Sequence, residues 1–234
     1  MRLMICGFAR CGSTSLCRFF QRLGLNFIME PFNPGRGGPH STGTTHEIVY
    51  VGDLSAVSPS LPGLMAQCDG IKHLWDHLAV DQNLVLLNSL IRNGVKVIHL
   101  SRRGLVEQAL SYLLSDHTSL WMNEDPAAYR QRIPLAVITE EAVRDRIEAI
   151  KTDAAIYRDH PSWKDCLDIQ YEDLYSPNRG HAWMTLGRIM EYVFSDESAG
   201  LQPSQKQTTK DVYQLIPNIE AIERAFGVSL RLET

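Results

Sequence analysis

The chain has 234 residues, 44% hydrophobic and 21% charged, which is long enough to close a full core and too apolar for a disordered segment. A net charge of -4 and a pI near 6.1 argue against a general nucleic-acid binder, and no run approaches the roughly 18 apolar residues of a membrane span. The five cysteines are odd in number, contain no C-x-x-C pair and fit a reducing compartment. The expectation is therefore one α/β domain over 1–234, cytoplasmic, with no stable membrane insertion and no nucleic-acid partner.

Arg2 to Cys6 reads as a short apolar strand that runs into Gly7-Phe8-Ala9-Arg10-Cys11-Gly12-Ser13-Thr14-Ser15. A helix from Thr14 to about Leu23 follows, with Gly24 as its stop. Gly7 and Gly12 permit angles and close approaches that a Cβ would forbid. Ser13, Thr14 and Ser15 lie where the unpaired amides of a helix N-terminus emerge, so the loop is built to hold an anion. Its glycine spacing is that of a Walker A loop, G-x-x-x-x-G-K-[ST], with Thr14 at the hydroxyl position. Ser13 stands where the lysine should be, and the cation is Arg10, inside the loop. Neither Cys6 nor Cys11 has an arginine at the spacing that a cysteine phosphatase requires.

Leu25 to Met29 is a second strand ending at Glu30-Pro31-Phe32, which puts Glu30 at a strand's carboxyl end, where ligands collect in open α/β sheets. Residues 33–66 are rich in glycine and proline and form an expected acceptor-binding or lid region. His40 and His46 within it read as loop histidines, since no metal motif accompanies them. Gly70 to Trp75 reads as a short buried strand, in which Lys72 is awkward unless its ammonium meets an anion. Asp81 to Arg92 has helical spacing and leads through Asn93-Gly94 into the strand Val95 to Leu100, a βαβ unit. A Walker B strand would end in an aspartate for magnesium; this one ends in Ser101-Arg102-Arg103.

After Asp116, residues 117–138 are irregular and make a second expected lid region. Thr139 caps a long helix to about His160, Cys166 to Tyr171 is a strand, and His181 to Phe194 is a helix. Short helices at Asp211 to Gln214 and Asn218 to Phe226 flank Pro217.

Arg10-Cys11-Gly12-Ser13-Thr14 resembles the 5'-phosphosulfate loop of sulfotransferases that use 3'-phosphoadenosine 5'-phosphosulfate (PAPS). Arg103 and Ser111, eight residues apart, resemble the motif by which that family grips the cofactor's 3'-phosphate. The double arginine, Gln-Ala-x-Ser and the G-x-K-x-x-W segment around Lys72 look like the bacterial trehalose-sulfotransferase branch, although Gly104 replaces its aspartate. The resemblance covers residues 5–32, 70–76, 97–112 and 171–174. It implies a P-loop-like three-layer α/β fold with a central, mostly parallel sheet flanked by helices. It further implies PAPS as co-substrate, no metal, and a small-molecule or glycan acceptor.

By that resemblance Arg10, Cys11, Gly12, Ser13, Thr14 and Ser15 hold the phosphosulfate and Arg102, Arg103 and Ser111 the 3'-phosphate. Lys206, in the polar segment Ser204 to Thr208, reaches back to the cofactor. Glu30 is the general base, with Arg10 and Lys72 as catalytic cations. His73 is a rival base, but its adjacency to Lys72 breaks the K-x-H spacing of cytosolic sulfotransferases. Tyr171-Glu172-Asp173-Leu174 resembles a segment given a structural role. A P-loop kinase or NTPase, or a non-catalytic nucleotide-binding module, remains the alternative.

Overall fold

The computed structural model describes residues 2–33, 61, 63–119, 121, 131, 137–194 and 219–228. The chain forms two compact units, the first Met1–Arg103 with Asp153–Ser204 and the second Gly104–Thr152 with Gln205–Thr234.

The first unit is built on five strands: β1 (Leu3–Gly7), β2 (Phe27–Met29), β3 (Gly70–Leu74), β4 (Lys96–Ser101) and β5 (Cys166–Gln170). Their order is β2-β3-β1-β4-β5 and every pairing is parallel. Parallel neighbours need crossovers, and helices supply them, so both faces are covered and central strands read as continuous apolar runs. β1 is buried along its whole length.

Side chains alternate across a strand, and the register shows which face each takes. Leu3, Ile5, Ile98, Leu100 and Ile169 meet Leu16, Phe19 and Phe20 of α1 (Ser13–Arg22) and Leu186, Ile189 and Val193 of α5 (Arg179–Phe194). Lys72 pairs with Ile5 and so belongs to this face. His73 pairs with Cys6, and Cys6 with His99, on the opposite face. That face is packed by α2 (Val80–Arg92), whose Asn83 reaches His73. Helices on both sides make the three-layer α/β arrangement that the resemblance implies.

The order reverses direction at β1: the chain crosses from β1 toward β2 on one side and from β4 toward β5 on the other. The carboxyl ends of β1 and β4 therefore flank the topological switch point, the standard ligand crevice of such sheets. The 7–12 loop leaves one and the Arg102-Arg103 pair the other.

On the second face a buried polar network fixes a tautomer. The Asn83 amide nitrogen lies 2.9 Å from the Trp75 carbonyl, 3.1 Å from that of Leu78 and 2.8 Å from the Tyr157 hydroxyl. Its oxygen consequently faces His73 Nε2 at 2.7 Å, and that nitrogen carries the proton. Burial pushes the wholly buried His73 down to about 4. Unfolded, the ring titrates near its ordinary value of about 6.5. Between these two pH values the unfolded chain binds the extra proton, so stability falls as pH falls. The loss from this ring approaches about 3 kcal/mol near pH 4. Urea unfolding from pH 7 to 4.5 is expected to show a shallower acid decline in His73→Gln, whose amide keeps a donor for Asn83. A decline as steep as in the parent chain would mean that other groups cause it.

The second unit packs α3 (Leu105–Thr118), the first part of α4 (Glu140–Asp159) and α6 (Ile219–Phe226). Its core is Ala109, Leu110, Leu114, Ile138, Val143, Ile147, Ile219 and Ile222. The expected cap of the long helix is present, Thr139 Oγ1 accepting from the Ala142 amide at 3.1 Å. Most of both expected lid regions, His40, His46 and the segment containing Lys206 lie outside the described residues.

Candidate active site

The loop after β1 has a shape that its residue types dictate. Gly7 lies against β4 so closely that a Cβ would sit 2.3 Å from the Leu100 carbonyl oxygen. Gly12, at φ +89°, is the N-cap of α1 and its carbonyl accepts from the Ser15 and Leu16 amides. A Cβ there would meet the Tyr171 and Tyr175 rings at 2.8 Å, and the Tyr175 hydroxyl donates to the Gly12 carbonyl at 3.1 Å. Only glycine satisfies both the angle and the space.

Arg10 adopts φ +68° without being glycine. Such a residue is strained by about 1–2 kcal/mol and persists only where its surroundings fix it. Two contacts flank it: the Ala9 amide donates to Asp76 Oδ2 at 2.7 Å, and Arg102 Nη1 donates to the Arg10 carbonyl at 3.4 Å. A backbone hydrogen bond to a charged group is worth about 1.5–3 kcal/mol, comparable with the strain. Cys11 is buried, and burial pushes its thiol up against a smaller lowering by Ser13, which makes it a poor nucleophile.

Glu30 is the second strained residue, at φ +54°. Its amide donates to the Lys72 carbonyl at 2.8 Å, extending the β2 and β3 ladder by one bond. Glu30 Oε1 is 2.5 Å from Lys72 Nζ, its Oε2 accepts from Asn33 Nδ2 at 2.9 Å, and His77 Nε2 lies 3.8 Å from that same Oε2. The Lys72 ammonium also donates to Thr14 Oγ1 at 2.8 Å. The awkward strand lysine thus meets its anion in Glu30, and it meets the loop as well. An ammonium has three donors, two of which these contacts use.

The β4-end arginines differ sharply. Arg102 is 13% exposed, stacks over Tyr171 at 4.6 Å and lies 3.8 Å from Glu172 Oε1. Arg103 is 57% exposed, donates to Asp173 Oδ1 at 2.5 Å, and its amide donates to Glu172 Oε2 at 3.0 Å. The Arg103 hydrogen bond holds the Asp173 carboxyl below its ordinary range, with His181 adding to it. Ser111 is buried on α3, in the second unit.

The structure thus brings Arg10, Thr14, Glu30, Lys72 and Arg102 to one end of the sheet. His73 faces the other way, because neighbours in a strand alternate. Sequence reasoning missed Asp76, His77 and Asn33. Asp76 and His77 follow the buried Gly70–Leu74 strand, so the strand-end rule that singled out Glu30 applied to them too. Tyr175 was passed over because a tyrosine's packing against a distant glycine leaves no local pattern, whereas Tyr171 lies in the segment read as structural.

Among the described residues no group of three or more His, Cys, Asp or Glu is placed to hold a metal ion, and no helix is long and apolar enough to cross a membrane. No protein-family model matches the chain, and no curated protein matches it. Fourteen chains of solved structures match. One is a crystal structure of a sulfotransferase from Alicyclobacillus acidocaldarius, with a TM-score of 0.48 and 13% sequence identity, over 97% of this chain and 96% of that one. A likeness this distant says nothing of activity.

Proposed function

We propose that the chain is a sulfotransferase that moves a sulfuryl group from PAPS to the hydroxyl of a small-molecule or glycan acceptor. The observation that carries this reading is the Lys72 ammonium held between Thr14 of the glycine loop and Glu30. In a Walker loop the hydroxyl at the Thr14 position holds magnesium. Here that hydroxyl accepts from a fixed protein cation, and the strand that would supply a magnesium aspartate supplies arginines. Such a site neutralises a transferring anion with its own side chains and keeps a carboxylate beside them.

In the proposed reaction the acceptor oxygen attacks sulfur in line, forming the new S–O bond as the S–O bond to the 5'-phosphate breaks. The electron pair leaves with adenosine 3',5'-bisphosphate and the hydroxyl proton goes to Glu30. Arg10 and the amides following Gly12 stabilise charge growing on the departing phosphate, and the remaining Lys72 donor meets the sulfuryl oxygens. Arg102 and Arg103 are assigned to the 3'-phosphate on their resemblance, Arg103 having to leave Asp173 for it.

Thermal unfolding tests the reading. Adenosine 3',5'-bisphosphate at about 100 times its dissociation constant is expected to add about 2.7 kcal/mol, raising Tm by roughly 5–10 °C. Stabilisation by ATP with magnesium and none by the bisphosphate would favour a P-loop kinase instead.

A further inference from the structure

We propose that Asp76 is a positioning residue that holds the phosphate loop, and with it the left-handed Arg10, in its ligand-ready shape. The consequence for nucleotide binding rests on the sulfotransferase reading; the contact itself does not. Asp76 belongs to the 3-10 turn Trp75–His77 that follows β3. The turn is anchored in the core by Trp75, which is 2% exposed and stacks on Tyr157 at 4.7 Å and on His99 at 6.3 Å. From this fixed base the Asp76 carboxylate accepts from the Ala9 amide at 2.7 Å. Ala9 immediately precedes Arg10, whose carbonyl is held from the β4 side by Arg102.

Arg10 is therefore restrained on both sides by side chains from neighbouring strand ends. An L-residue needs such surroundings to stay at positive φ. Asp76 is suited to the task because a carboxylate offers only acceptors and an amide hydrogen bond to it is charge-assisted. Asparagine keeps an acceptor oxygen at the same reach, whereas alanine keeps none.

The test compares Asp76→Ala and Asp76→Asn in the full chain, using amide hydrogen exchange without nucleotide and calorimetry with adenosine 3',5'-bisphosphate. Asp76→Ala is expected to speed exchange at Ala9 and Arg10 about tenfold, leave the β1 and β4 amides protected, and weaken the bisphosphate about tenfold. Asp76→Asn is expected to stay within about threefold of the parent in both measurements. Unchanged exchange at Ala9 in the alanine variant, acceleration spread through the whole sheet, or equal losses in both variants would each overturn the proposal. A parent chain that does not bind the bisphosphate would end the nucleotide reading, while exchange at Ala9 would still decide the role of Asp76.

Discussion

Lys72→Met is expected to destabilise the fold by about 3–5 kcal/mol, because it leaves the Glu30 carboxylate buried without its partner. The side chains of the pair are only 5% and 6% exposed, so water cannot replace the lost ammonium. The companion variant, Lys72→Met with Glu30→Gln, removes both charges and is expected to recover at least half of that loss, since a neutral pair carries no such desolvation penalty. Urea unfolding measures both. A loss below about 1 kcal/mol in the single variant, or a double variant no better than the single, would show that the ion pair is solvated in the working protein.

Glu30→Gln carries the largest expected effect on turnover under the proposed mechanism. The substitution keeps the shape and an oxygen for Lys72 but removes the basic carboxylate, so transfer to an acceptor found by screening is expected to fall by about 10²- to 10⁴-fold. Bisphosphate affinity, measured by calorimetry, should change little by comparison, which separates loss of a base from loss of the site. Near-normal transfer would move proton removal to another group. His77, 3.8 Å from the Glu30 carboxylate, is then the next residue to change, since His73 is turned to the opposite face and bonded to Asn83.

What the sequence made legible was local. The Gly7 to Gly12 spacing, the run of apolar residues in β1 and the 3.6-residue stripes of the helices each announce themselves within a dozen residues, and together they define the layers and the switch point. Lys72 was legible for a different reason: a lone ammonium in a buried strand demands an anion, although the sequence does not say which one. Asp76 and Tyr175 contact the loop from 67 and 163 residues away, and no pattern near Ala9 or Gly12 points to either. The unequal burial of Arg102 and Arg103 was also out of reach, because it depends on where Tyr171, Glu172 and Asp173 come to rest beside the end of β4.

Three side chains that bond to the loop's backbone set a condition on when it becomes competent. Ala9 waits for Asp76, Arg10 for Arg102, and Gly12 for Tyr175, at sequence separations of 67, 92 and 163. Contacts this remote form late, because loop closure must be completed before they reward the chain. On a ribosome, the loop thus emerges well before the partners that give it its working geometry. A nascent chain emerged as far as residue 100 has the glycine loop but neither Tyr171 nor Tyr175 to shape it. Under the proposed function, the loop's affinity for its anion is therefore expected to rise as the far end of the sheet docks.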